Sequence, residues 1–111
     1  MFSLIDVNGF DQQILSSKGL VLINFWANWC EECMQMASIM RDIRKIHDEH
    51  DMIFQIDWDR QKQFAKTVEV FGVPTLLIYS GGVEVGRYFG IISKDELLNR
   101  IKQEKRITIK V

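Results

Sequence analysis

Apolar residues run along this chain in short blocks, and the period of each block names its element. Leu20-Val21-Leu22-Ile23-Asn24-Phe25-Trp26 is an almost unbroken apolar run of strand length. Such a run, rich in β-branched and aromatic residues, suits a strand covered on both faces. After Trp26 the period changes. Cys33, Met36, Ala37, Met40 and Ile43 recur at spacings of three and four, and His47 extends the row. That spacing predicts an amphipathic helix from near Cys30 to near His50, with Arg41, Asp42, Arg44 and Lys45 on its other face. At helical spacing, Met36 and Met40 read as core fillers. Met52–Asp57 reads as a second strand. A helix from about Arg60 to Glu69 presents Phe64, Val68 and Phe71.

The second half continues the alternation. Gly72-Val73-Pro74 leads into a strand over Thr75–Tyr79, Ser80-Gly81-Gly82 is a hairpin turn, and Val83–Phe89 is the returning strand. Ser93 with Glu96 three residues on is a capping box that opens a last helix lined by Leu97, Leu98 and Ile101. Ahead of the first long run, Ser3–Val7 reads as a short strand and Asn8-Gly9 as a turn. Phe10, Ile14 and Leu15 form a helical row that ends at Lys18-Gly19. Ile107–Val111 alternates like a short strand; an unstructured end or a dimer contact fits it equally. The order is β-α-β-α-β-α-β-β-α. It predicts an α/β fold with a central mixed sheet, helices on both faces and an antiparallel hairpin at one edge.

Composition narrows the class. The chain has 111 residues, 47% hydrophobic and 26% charged, which suits one globular domain spanning 1–111. Two Cys make at most one bridge, so a disulfide-dense scaffold is excluded. A net charge of −1 gives no electrostatic reason to expect nucleic acid or an anionic membrane as partner. No apolar run approaches the roughly 18 residues that a bilayer span needs. The first residues lack the basic start and apolar stretch of a signal peptide, so the expected compartment is the cytoplasm. There, two Cys held two residues apart are catalytic or metal-binding more often than structural.

The chemistry concentrates where the first long strand hands over to the long helix, at Cys30-Glu31-Glu32-Cys33. Unpaired N–H groups and the macrodipole at a helix N-terminus favour negative charge, so Cys30 gains thiolate character there. Cys33 lies one turn on, on the buried side. This spacing suits a nucleophile followed by a resolving thiol. A zinc site is the competing reading, because His47 and His50 complete a Cys-x2-Cys…His-x2-His pattern. The helix between them sets Cys33 and His47 roughly 21 Å apart, too far for one ion. No metal and no cofactor are expected.

Phe25-Trp26-Ala27-Asn28-Trp29-Cys30 resembles the signature of the thioredoxins, and Gly72-Val73-Pro74-Thr75-Leu76 resembles that family's cis-proline segment. Asp57, Gly82 and Gly90 fall on matching positions, and the likeness runs from about Ser3 to Lys105. The resemblance implies a thioredoxin fold and a thiol–disulfide oxidoreductase acting on protein disulfides. Cys30 would attack a substrate disulfide and Cys33 would resolve the mixed disulfide. Trp29 would flank Cys30, with its indole hydrogen-bonded to Asp57. Val73-Pro74 would be a cis peptide facing the cysteines, the Val73 backbone would pair with an extended substrate, and Gly90-Ile91 would complete the groove. The implied electron donor is a flavoprotein reductase, and a monomer is expected. Trp58 either extends the substrate surface or packs on its rim.

Three positions depart from the family's pattern. Glu31-Glu32 replaces the usual Gly-Pro. The helix end favours the Cys30 thiolate by roughly 0.3–1 kcal/mol, while each Glu at roughly 7 Å opposes it by about 0.6 kcal/mol at a dielectric near water's. The near-cancellation predicts a reductant rather than a strong oxidant. Both Glu also suit the first turn of a helix through the same dipole. Asn24 stands at the family's buried Asp, and Ile53 at the position assigned to its Lys partner. Asn24 cannot titrate, so Cys33 must lose its proton through water or substrate. Ser38 replaces a helix-kinking Pro and returns a backbone donor. These departures sustain a second reading: a thioredoxin-fold binding or regulatory module with weak redox activity.

Overall fold

A computed structural model describes residues 17–46 and 48–110, together with Gln12 and Ile14; side chains are described up to Lys105. The expected first strand at 3–7, the Asn8-Gly9 turn, most of the first helix and His47 lie outside the described residues. Of that first helix, Gln12 and Ile14 are helical, and Ile14 is buried in the core.

The elements are β1 (Leu20–Trp26), α1 (Glu31–Ile46), β2 (Met52–Asp57), α2 (Lys62–Thr67), β3 (Thr75–Ser80), β4 (Val83–Phe89) and α3 (Lys94–Lys110). The four strands form one mixed sheet in the order β2-β1-β3-β4. β1 runs parallel to β2 and antiparallel to β3, and β4 closes the edge as an antiparallel hairpin. Gly81 and Gly82 make the hairpin turn with φ of 59° and 83°. Two successive residues at positive φ are what a tight hairpin asks for, and glycine adopts them without strain.

The unbroken apolar run of β1 is explained by its two covered faces. Val21, Ile23 and Phe25 pack with Phe54, Ile56 and Phe64 on one side. Leu20 and Leu22 pack with Met36, Met40, Ile43 and Ile53 on the other, beneath α1. Met36 and Met40 are thus core fillers, as their spacing predicts. Asn24 shares the α1-facing side of β1 with Leu20 and Leu22, because side chains alternate along a strand.

Element ends differ from the periodicity reading, and local hydrogen bonds say why. α1 stops at Ile46 rather than near His50. Asp48 turns the chain there, with its Oδ1 accepting from His50 N at 3.0 Å and its own N–H donating to Asp51 Oδ2 at 3.1 Å. α2 is confined to Lys62–Thr67. At its start, Asp57 holds the turn by accepting from Asp59 N and Arg60 N. At its end, Glu69 adopts φ 59°, which ends a helix. Phe71 is therefore outside the helix and 75% exposed, not on its buried face.

Ser93 Oγ accepts from Glu96 N at 3.1 Å, so α3 opens on the expected cap. The strand reading of Ile107–Val111 is overturned: α3 continues through to Lys110. Extending an existing helix adds a hydrogen bond for each residue fixed, and this outweighs the weak helix propensity of Ile107, Thr108 and Ile109.

Candidate active site

The site forms where β1 ends. The chain turns through Ala27, Asn28 and Trp29, with Cys30 N donating to Ala27 O at 3.2 Å. α1 then starts at Glu31, which places Cys30 immediately before the first helical residue. The Cys33 N–H donates to Cys30 Sγ at 3.2 Å. The sulfur thus occupies the place of a capping oxygen, accepting from the third N–H of the helix. Cys30 and Cys33 form a disulfide with Cα atoms 5.3 Å apart. Both are nearly enclosed, at 8% and 4% exposure. Glu31 and Glu32 make up the first helical turn and face solvent.

The second wall comes from the loop before β3. The Val73–Pro74 peptide is cis. Val73 packs against the cluster of Ala27, Cys30 and Cys33, so the structure brings it to the disulfide. Pro74 O accepts from Gly90 N at 2.9 Å, which ties the end of β4 to the proline segment. Gly90 has φ 92°, and Ile91 beyond it is partly exposed. The loop is braced from outside by Arg87. Its guanidinium donates to both Glu84 carboxylate oxygens and to the Val68 and Glu69 carbonyls. Hydrogen bonds from Arg87 hold the Glu84 carboxyl below the usual carboxylate range.

Trp29 is 65% exposed beside Cys30. Its indole N–H donates to Asp59 Oδ2 at 2.8 Å. The expected partner, Asp57, is engaged instead with its own turn and lies 3.8 Å from Arg60 Nε. Trp58 is partly buried against the core: its Nε1 donates to Val70 O, its ring meets Trp29 in a T-shaped contact with centroids 6.3 Å apart, and Lys62 lies over its face. The pairing assumed behind the disulfide also changes. Ile53 is fully buried in the core under α1. The residue opposite Asn24 in the β1–β2 register is Gln55. Asn24 Nδ2 donates to Gln55 Oε1 at 2.8 Å, so two neutral amides meet there.

Two exposed aromatic residues flank the proline segment, and the helical row that includes Phe71 does not announce this place. Phe71 and Phe89 are 75% and 74% exposed. The Phe89 ring lies on Gly72, where an added Cβ would come within 2.8 Å of Cε1. Only glycine allows that approach. Both rings line a cleft with Gly72, Thr75 and Arg87 beside the proline segment. The signal in the sequence was their position next to Gly72 and Gly90. Among the described residues, no three His, Cys, Asp or Glu side chains gather as a metal-holding group, and no helix is long and apolar enough to cross a membrane.

The chain matches a family model described as Thioredoxin over residues 2–103. The chain belongs to the thioredoxin family. It is 36% identical over 88 residues to the thioredoxin of Buchnera aphidicola subsp. Baizongia pistaciae (strain Bp), covering 79% of this chain and 81% of that one. It is 32% identical over 89 residues to a bifunctional thioredoxin reductase/thioredoxin of Mycobacterium leprae (strain TN), covering 80% of this chain and 19% of that protein. Its fold matches that of a mutant thioredoxin from Halobacterium salinarum NRC-1, with TM-score 0.78, 24% identity and coverage of 93% and 88%. A thioredoxin-family chain with this Cys-x-x-Cys pair carries the parts of a thiol–disulfide oxidoreductase.

Proposed function

We propose that the chain reduces protein disulfides by dithiol–disulfide exchange, with Cys30 as nucleophile and Cys33 as resolving thiol. The observation that carries this reading is the place of Cys30 Sγ at the start of α1, accepting the Cys33 N–H. The same donors and the helix dipole stabilise a thiolate there. Cys30 attacks one sulfur of the substrate disulfide, and the other leaves as a thiolate that takes a proton from solvent. Cys33, once deprotonated, attacks Cys30 Sγ and releases the second substrate sulfur. Two electrons pass to the substrate, and the Cys30–Cys33 bond holds the oxidised state.

Trp29, Val73, Pro74, Gly90 and Ile91 form the substrate groove in this reading, with Asp59 steadying Trp29. A flavoprotein reductase returns the electrons; the relative that joins thioredoxin reductase to thioredoxin in one chain supports that partner. No bound cofactor takes part, and the cytoplasm is the compartment that keeps such a dithiol reduced.

Insulin-disulfide reduction with dithiothreitol as donor tests the proposal. Wild type should catalyse it and Cys30→Ser should not. Catalysis that survives Cys30→Ser refutes the enzyme. A wild type with no catalysis favours the second reading, a binding module, for which the non-titrating Asn24–Gln55 pair is the specific support.

A further inference from the structure

The cleft beside the proline segment has a chemistry of its own. Its volume is about 310 Å³. Phe71 and Phe89 are its aromatic walls, and Glu69 and Arg87 are its charged residues. Both rings are about three-quarters exposed. Neither meets another ring or a cation among the described residues. Large apolar groups gathered in the open mark an interaction site.

The charges of the cleft do not cancel. Arg87 uses its guanidinium on both Glu84 oxygens and on the Val68 and Glu69 carbonyls. Its charge is matched by Glu84, 2.8 Å away. The Glu69 carboxylate is exposed and has no ion-pair partner among the described residues. The cleft thus offers two rings and one surplus negative charge. The bonds from Arg87 to the two carbonyls also hold the Glu69 turn, at φ 59°, so the backbone that carries the carboxylate is ordered before anything binds.

That combination suits a basic side chain. Aromatic faces attract cations. A long basic residue lays its methylenes on apolar surface while its head stays free to meet a carboxylate. Arginine suits best, because its flat guanidinium stacks on a ring and also pairs with a carboxylate. A neutral apolar side chain would leave Glu69 unused, and an acidic one would be repelled. The cleft is also continuous with the groove: Gly72 immediately precedes Val73, and Phe89 immediately precedes Gly90. Consecutive Cα atoms are about 3.8 Å apart, so a substrate strand lying on Val73 passes the cleft within one or two residues.

We propose that this cleft selects substrate disulfides with an arginine within two residues of the attacked cysteine. Phe71 and Phe89 take the guanidinium and its stem, and Glu69 takes its charge. This selection rests on the reading of the chain as a protein-disulfide reductase. The three residues set specificity and take no part in the exchange. The residues that follow Cys30 are the exposed Glu31 and Glu32, so a basic segment meets no like charge there.

Paired disulfide peptides that differ only in arginine against citrulline, its uncharged isostere, test the selection. A cation on an exposed ring is worth roughly two- to fivefold, and an exposed ion pair up to about fivefold. The kcat/KM should therefore favour the arginine peptide by roughly three- to twentyfold. Glu69→Gln with Phe71→Ala should bring that ratio below about twofold, which separates the cleft from general attraction by Glu31 and Glu32. Both substitutions are at exposed positions, where folding tolerates change. A wild-type ratio below about threefold, or a ratio that survives in the double variant, overturns the selection. A second measurement needs no exchange chemistry. Serine replaces cysteine in both peptides, and each is titrated into the protein while the Gly72 and Gly90 amide signals are followed by NMR. The arginine peptide should bind more tightly by the same factor and move the Gly72 signal. Equal affinity overturns the selection even if insulin reduction succeeds, and tighter binding of the arginine peptide supports it even if insulin reduction fails.

Discussion

The two ends of β1 each bury a polar side chain, and they treat it in opposite ways. At the start of the strand, the Asp51 carboxylate is filled. Oδ1 accepts from Leu20 N at 2.9 Å, and Oδ2 accepts from Asp48 N at 3.1 Å and from Lys105 Nζ at 2.6 Å. This knot joins β1, the end of α1 and α3. At the far end, Asn24 spends its donor on Gln55, and its buried Oδ1 has no hydrogen-bond partner among the described residues. One end is built for stability. The other leaves a buried amide oxygen without a partner among the described residues, on a residue that lines a cleft together with Cys33.

The comparison breaks most visibly at Asp51. Asp51→Ala strands one buried and one part-buried N–H group and leaves a partly exposed lysine without its partner, and should cost about 2–4 kcal/mol of stability, read by denaturant unfolding, with dithiol chemistry intact in the fraction that remains folded. A loss below about 1 kcal/mol would show that the knot is not structural. Asn24→Asp sharpens the other end. A carboxylate there has only Gln55 beside it, so burial raises its pKa and it should cost roughly 1–3 kcal/mol. The same carboxylate can accept the Cys33 proton, so mixed-disulfide resolution near neutral pH should speed up. An unchanged rate would count against proton removal as the slow step.

Smaller effects follow at the surface. Asp59→Ala frees the Trp29 indole. The lost bond is worth about 0.5–1.5 kcal/mol, so KM for a protein disulfide should rise roughly three- to tenfold with kcat little changed. The smallest effect belongs to Glu84. Its carboxyl is held below the ordinary range by Arg87, so the stability it contributes is present above its unfolded pKa and is lost as pH falls through the folded pKa. Glu84→Gln should therefore be less stable than the parent by a few tenths of a kcal/mol at neutral pH, the pair being partly solvent-screened. The difference should vanish in acid.

Legibility followed the period. β1, the buried face of α1, the Gly81-Gly82 hairpin and the Ser93 cap could be read because each rests on contacts within a few residues of chain. The cysteine pair could be read because its spacing and its strand-to-helix setting coincide. What failed depended on where a turn aims a side chain. Asp57 and Asp59 both follow the apolar part of β2; only the folded turn shows that Asp57 caps it and Asp59 reaches Trp29. Ile53 and Gln55 lie on the same face of β2, and only the register with β1 places Gln55 against Asn24. Phe71 fitted a helical row that Glu69, in its left-handed conformation, cuts short. The tail alternated like a strand but had a helix already running into it.

The division of labour between the two sulfurs is read by trapping. Cys33→Ser is mixed with a disulfide peptide, quenched in acid and mapped by mass spectrometry, with Cys30→Ser in parallel. Rapid, stoichiometric adduct is expected on Cys30 in Cys33→Ser and little on Cys33 in Cys30→Ser. Equal labelling of the two sulfurs, or preferential labelling of Cys33, would contradict it.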